Sequence, residues 1–301
     1  MTTKTLTWGR RLTFHTLPVS VVLLAVIVLW YALAVALNAH GTIDRVLSHR
    51  ASWNTADLIV ASLNATRPLL PAPHQIVADI WNSLTQWPVT SPRNLLLHTW
   101  VTASAALTGF AMGVVLGILL AVCIVHSRTL DKALLPWIVA SQTIPVLAIA
   151  PIVLIILGSM GITGMLPKAT IAMYLCFFPV TIATVQGLRS PQKMEMELVH
   201  TWAASRIHIF WMVRLPSALP YLFPAFRVAI ASGLVGTMVA ELPTGAQAGL
   251  GARLLTGSYY GNTVQIWSAL VMASLLGLAL TGMVTLAERL VMRKRKGCDE
   301  R

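Results

Sequence analysis

Residues 195–220 read EMELVHTWAASRIHIFWMVRLPSALP. Leu198, Trp202, Ile207, Phe210 and Trp211 recur at roughly helical spacing, with His200, Arg206 and His208 interleaved among them. The segment is too polar to span a bilayer, and its spacing predicts a short amphipathic helix. Pro216 and Pro220 are expected to close that helix before the next apolar run begins. A helix of this kind needs either a protein surface or a membrane interface to lie on, and composition alone leaves the two open.

The chain around this segment is far more apolar. Of its 301 residues 56% are hydrophobic and only 11% are charged, where a soluble domain carries about a quarter. Mean hydropathy is +0.73. The composition predicts a polytopic membrane protein. Six runs reach the roughly 20 residues needed to cross the hydrocarbon core: Leu17–Leu37, Val101–Val125, Leu134–Leu157, Met165–Gln186, Tyr221–Leu242 and Ile266–Leu286. The first follows Lys4, Arg10 and Arg11, as a signal peptide would, but its apolar run is too long for a typical secretory h-region and reads as an uncleaved anchor. The organisation expected is a cytoplasmic N-terminus (1–16), a first span (17–37), an external segment (38–98), a core of five spans (99–290) containing a loop at 188–220, and a basic tail (291–301). Within the external segment, DLIVASL (57–63) and QIVADIWNSL (75–84) have helical spacing, and Trp81 and Trp87 suit headgroup depth.

The net charge of +12 does not signal nucleic acid, because the basic residues flank apolar runs. With both termini inside, fifteen of the 22 Lys and Arg residues fall on the cytoplasmic side, six outside, and Arg227 within the fifth span. That bias is the positive-inside pattern. It places residues 195–220 in the cytoplasm.

The spans carry their own punctuation. Gly109, Gly113 and Gly117 lie at four-residue intervals and predict close approach of another helix. Pro145, Pro151 and Pro179 interrupt the third and fourth spans, as plain kinks or as breaks that line a pathway. Catalytic and energy-transducing motifs are missing. No G-x-x-x-x-G-K-[ST], H-E-x-x-H or G-x-S-x-G occurs, and the ten carboxylates include almost none at mid-membrane depth. Cys123, Cys176 and Cys298 show no metal-site spacing, and no histidine reads as a metal ligand. The chain is therefore expected to be no enzyme. If it moves a solute, the energy comes from another chain.

Spacing in the opening stretch is more specific than its composition. It resembles the cytoplasmic signature E-A-A, three residues, G, nine residues, I-x-L-P of bacterial ATP-binding-cassette (ABC) importer permeases. Glu197, Leu198 and Val199 hold the E-A-A positions, Ala203 the glycine, and Val213, Leu215 and Pro216 the I-x-L-P, with no gaps. The departures are Leu198, Val199 and Ala203 themselves. LLPAPHQIVADIW (69–81), SQTIPVLAIAPI (141–152), FFPVTIATVQGLRS (177–190) and VAELPTGAQAGLG (239–251) are similar to the nitrate, sulfonate and taurine branch, so the resemblance covers about 70–292.

The resemblance implies the type I ABC importer permease fold, an all-α integral membrane protein of about six transmembrane helices with a cytoplasmic coupling helix. It implies separate ATP-binding cassette subunits that hold the ATP and magnesium, so no cofactor in this chain. Also implied are a second permease copy or paralogue and a periplasmic or lipid-anchored substrate-binding protein. Coupling to the ATPase falls to Glu197, Leu198, Val199, Ala203, Ala204, Val213, Leu215 and Pro216. Glu197 is expected to open the helix, where its carboxylate favours the helix dipole, and Leu215 and Pro216 to end it. Polar candidates for the substrate pathway are Ser141, Gln142, Thr143, Thr181, Thr237 and Glu241. Helix–helix hydrogen bonding is the commoner fate of such groups, and Glu241 near the outer surface is expected to repel anions. The solute class implied is a sulfonate, taurine, nitrate or pyrimidine-like compound. A passive channel or scaffold without ATP coupling, and a membrane-embedded enzyme, are the competing classes.

Overall fold

The computed structural model describes residues 6–47, 53–202, 204–242 and 248–299. Every regular element among them is helical. In chain order these are α1 (Leu6–Thr42, continued by a π-turn at Ile43–Leu47), α2 (Thr55–Leu63), α3 (Pro73–Thr85), α4 (Leu95–His126), α5 (Arg128–Ser141), α6 (Val146–Ser159), α7 (Met165–Leu188), α8 (Lys193–Thr201), α9 (Arg206–Ile209), a π-turn at Phe210–Arg214, α10 (Leu215–Glu241), α11 (Leu250–Tyr259) and α12 (Thr263–Asp299). Five helices are long and apolar enough to cross a membrane, or six if α5 and α6 form one span. The protein is an all-α, multi-pass membrane protein.

The chain divides into two compact units. One comprises residues up to Trp87 together with Thr256–Ser268. Its α2 and α3 fall where the periodicity of the external segment placed helices. Asn54 caps α2 with Asp57 in a capping box, and Pro73 occupies the first turn of α3. The connection between them is held by α1. The buried Asn38 side chain accepts from Leu69 N–H at 2.7 Å and donates to Leu70 O at 2.8 Å and Ser62 O at 3.4 Å. Trp30 Nε1 donates to Pro71 O at 3.1 Å, and its ring lies 5.0 Å from that of Trp267. A backbone stretch interrupted by Pro68 and Pro71 has few ladder partners of its own, so side chains supply them.

The other unit comprises Pro88–Leu255 and the chain from Ala269 onward. Its centre is α4 laid along α7, with α10 across both. The glycine interval in α4 permits this. A Cβ at Gly113 would stand 2.5 Å from Cys176 Cβ, one at Gly117 would stand 2.9 Å from Phe177 O, and one at Gly109 would collide with Ala172 and Ala169. The predicted close approach is therefore the α4–α7 contact. At the far end of α7, Gly187 lies so near α10 that a Cβ there would stand 2.7 Å from Ala218 Cα. Small residues at these crossings let backbones pack where larger side chains would hold them apart. Arg227, in the middle of α10, pairs with Glu288 of α12 at 3.5 Å.

Two sequence expectations are corrected. The third span, Leu134–Leu157, is not one helix. It breaks between Ser141 and Val146, and the two halves are bent by 101°. Pro145 has no N–H to continue the ladder and pushes Ile144 out of the helical region. Pro151 and Pro179, by contrast, lie inside unbroken helices. Nor do Pro216 and Pro220 close a helix. The chain is helical without interruption from Arg206 to Glu241, with Pro216 in the first turn of α10 and Pro220 and Pro224 within it. A proline ring clashes with the carbonyl four residues back. For Pro216 that residue is Met212, inside the π-turn, where the helix is already widened.

Candidate functional site

The opening stretch forms two short helices, α8 ending at Thr201 and α9 beginning at Arg206. Lys193 begins α8, and Gln192 N–H donates to Glu195 Oε2 at 3.1 Å. Glu195, not Glu197, therefore opens the helix, because a capping carboxylate must reach back three residues. Glu197 stands two residues further along and is exposed. One face of α8 points outward, with Met194 79% and Leu198 55% exposed, and Trp202 beyond its end is 76% exposed. The other face, with Met196 and Val199, is half-buried. Ala204 is half-buried, and Ala203 lies outside the described residues.

Ser205 starts the second helix, its Oγ accepting from His208 N–H at 3.3 Å. From there no joint intervenes. Ile209 is 4% exposed. Phe210 packs against the cluster of Leu188, Ala218 and Leu222, and its ring lies 5.6 Å from that of His126 at the end of α4. Val213, Leu215 and Pro216 are half-buried along the same run. Arg189 closes α7 and pairs with Asp131 of α5 at 2.9 Å. The α9 helix is thus continuous with α10, and Phe210 joins it to α4 through His126 and to α7 through the Leu188 cluster.

The polar candidates for a pathway separate into two groups. Gln142 and Thr143 are exposed at the α5–α6 break, beside Ser141, whose carbonyl accepts from Tyr174 Oη. Thr181 and Thr237 are fully buried, and each donates to the carbonyl four residues back, Phe177 O at 2.7 Å and Gly233 O at 3.0 Å. That bond satisfies the hydroxyl within its own helix.

Glu241 is also 0% exposed. Its carboxylate accepts from Thr102 Oγ1 at 3.0 Å and Gly251 N–H at 2.8 Å, and meets Lys168 Nζ at 3.4 Å. Lys168 also donates to Ala248 O at 2.9 Å. Thr102 Oγ1 accepts from Leu250 N–H at 2.8 Å, and Gly249 N–H donates to His98 Nδ1 at 3.0 Å. Gly249 has φ +135°, and a Cβ there would strike the Glu241 carboxylate. Residues 248–251 are in this way tied to α4, α7 and α10 together. The expectation that Glu241 near the outer surface repels anions is corrected, since Lys168 pairs with it and no part of it reaches solvent. Thr102, Lys168 and His98 were not among the residues singled out from the sequence. The available signal was a carboxylate and an ammonium each at the end of an apolar run, with GLG just beyond. Among the described residues no group of three or more His, Cys, Asp or Glu side chains is placed to hold a metal.

Comparison with known proteins agrees with this architecture. Residues 113–296 match the family model described as "binding-protein-dependent transport system inner membrane component". The chain is 33% identical over 225 residues to the riboflavin transport system permease protein RibX of Chloroflexus aurantiacus, covering 75% of this chain and 80% of that one. It is 32% identical over 233 residues to the formylaminopyrimidine transport permease protein ThiX of Halalkalibacterium halodurans, covering 76% and 86%. It is 29% identical over 238 residues to the taurine transport system permease protein TauC of Escherichia coli, covering 77% and 82%. The chain belongs to the binding-protein-dependent inner-membrane component family and is a permease subunit of an ABC transport system.

Proposed function

We propose that α8 and α9 form the surface through which separate ATP-binding subunits drive this permease, and that its solute is a small nitrogen heterocycle handed over by an external binding protein. The observation that carries the first part is the unbroken helix from Arg206 to Glu241. A rigid lever transmits a displacement of its tip along its length, whereas a loop would absorb it. The outward face with Met194, Leu198 and Trp202 offers the apolar contact, and Glu197 beside it offers a charge. Ala204 lies between the two helices, where bulk would obstruct a docked partner. The positive-inside bias supports a cytoplasmic position for this surface, with both termini on the same side. A second permease copy or a paralogue completes the pathway.

The solute class rests on the relatives. Those named for riboflavin and formylaminopyrimidine transport are 33% and 32% identical, against 29% for the taurine permease and 26% for an aliphatic sulfonate permease. Gln142 and Thr143, exposed at the bent α5–α6 break, are the side chains placed to meet such a ring.

The test is reconstitution with the cognate ATP-binding subunit and binding protein. Leu198→Asp and Ala203→Asp are expected to leave the chain inserted, to abolish uptake, and to remove the stimulation of ATP hydrolysis by loaded binding protein. Full uptake with either variant would defeat the assignment of the surface. Binding of sulfonates but no heterocycle by the binding protein would defeat the assignment of the solute.

A further inference from the structure

On the inner side of α8 lie two adjoining cavities of about 260 and 240 Å³ that share Val125, Met196 and Arg214. Arg189 borders one, and His126 and Arg206 border the other. Each cavity is therefore bordered by two arginines, and Arg214 is common to both. Arg189 is matched by Asp131, but Arg206 and Arg214 have no acidic partner among the described residues. The carboxylates of α8 do not fill the gap. Glu195 is committed to Gln192 N–H, and Glu197 is exposed and lines neither cavity. Two arginines held beside a recess with no anion of their own constitute a site for one.

The position in the fold says which anion. Val125 and Leu188 belong to the last turns of α4 and α7, two of the helices long and apolar enough to cross a membrane. The recess thus opens at the boundary where spans end. Ile207 and Trp211, in the same turns as the arginines, are 73% and 62% exposed, and aromatic side chains at span ends favour headgroup depth. Basic recesses between spans at that depth take anionic headgroups. Each cavity is smaller than a typical pocket for a drug-sized ligand, which suits a phosphodiester better than a transported ring. A protein partner seated on Met194 and Leu198 would lie on the opposite face of α8.

We propose that Arg206 and Arg214 clasp the phosphodiester of an anionic phospholipid at the α4–α7–α9 junction, so that the lever carrying the coupling surface bears on a bound lipid. The lipid assignment stands on the cavity and its charges and is independent of the solute; only its bearing on a lever rests on the coupling role proposed above. Each basic residue near an anionic surface is worth about fivefold in affinity, and the pair about 25-fold.

The full chain, in complex with its ATP-binding subunits, is exchanged into detergent containing equal phosphatidylglycerol and phosphatidylcholine of matched acyl chains, and retained lipid is counted by native mass spectrometry. The wild type is expected to retain phosphatidylglycerol in preference, and Arg206→Gln with Arg214→Gln to lower that retention about 25-fold. Arg206→Lys with Arg214→Lys is expected to keep the preference, since the charge remains. Equal retention of the two lipids by the wild type overturns the proposal, even where the glutamine variant fails to assemble. Displacement of the lipid by an equal concentration of inorganic phosphate overturns it in favour of a free-anion site. Retention that appears only when the ATP-binding subunits are stripped away overturns it in favour of a protein contact.

Discussion

Lys168→Met is expected to be among the most damaging single substitutions outside the coupling surface. It leaves Glu241 without its cation while the carboxylate stays enclosed. At 3.4 Å the pair attracts with about 5 kcal/mol at an effective dielectric of about 20. Breaking a buried pair from one side costs about 3–5 kcal/mol, because the remaining charge is uncompensated. Ala248 O loses its donor as well, a further loss of about 1 kcal/mol. Glu241→Gln leaves the Lys168 ammonium unpaired, but keeps an acceptor for Thr102 and Gly251 and leaves Lys168 its bond to Ala248 O, so its cost is smaller, about 2–3 kcal/mol. The double variant strands no charge at all. It is expected to be more stable than the sum of the single losses requires, with a coupling energy of about 2–3 kcal/mol. The assay is equilibrium unfolding of the detergent-purified chain in a denaturing-detergent titration, with all four members of the cycle measured together. Additivity within about 0.5 kcal/mol would mean that the two groups do not act on each other, and the reading of residues 248–251 as a segment latched by this pair would fail.

Three further outcomes are expected. Gly113→Leu places a side chain where even a Cβ would stand 2.5 Å from Cys176 Cβ. It should destabilise the α4–α7 contact by more than about 3 kcal/mol, and Gly113→Ala should be partly rescued by Cys176→Gly, read as melting temperature. Asn38→Leu removes the acceptor of Leu69 N–H and the donor to Leu70 O. Amide hydrogen exchange at Leu69 and Leu70 should accelerate about tenfold or more while α4 and α7 remain protected. Gly249→Ala forces a side chain onto a backbone with φ +135° and against Glu241. It should lower the melting temperature at least as far as Thr102→Val does, and a neutral result would place the Glu241 carboxylate elsewhere.

What the sequence made legible follows from the range of the forces involved. Span positions depend on about 20 consecutive apolar residues, a local property, so α4, α7, α10 and α12 overlap the runs read from composition. Gly109, Gly113 and Gly117 were legible for the same reason, since a four-residue interval on one helix already says that something approaches. It does not say what approaches, and only the structure supplies α7. Two of the corrected expectations concern proline. Pro145 and Pro216 look alike in sequence, yet the first lies at a 101° break and the second is carried within continuous helix. The difference lies in the neighbouring backbone. Met212, four residues before Pro216, sits in a π-turn with room for the ring, whereas nothing comparable precedes Pro145.

The Glu241 cluster was the least legible part, because its bonded members are separated by up to 151 residues and each alone looks ordinary. Thr102 reads as a helical threonine, and Lys168 as one more charge at a span end. Together they account for the tolerance of a carboxylate with 0% exposure in an apolar chain. An ion buried this way costs several kcal/mol unless attraction and hydrogen bonds offset it, and here three donors, one of them the loop backbone at Gly251, converge to do so. The two ends of α10 are thereby set against each other. At one end Phe210 and Ile209 wedge the helix against α4 and α7 through apolar packing, which slides at little cost. At the other, Glu241 is fixed by directional bonds that a shift of an ångström would break. A helix clamped at one end and seated on a slippery surface at the other pivots rather than translates. A force applied through α9 is therefore expected to swing α10 about its Glu241 end, and pinning Phe210 to Leu188 by a cysteine cross-link should halt transport while leaving ATP binding to the partner intact.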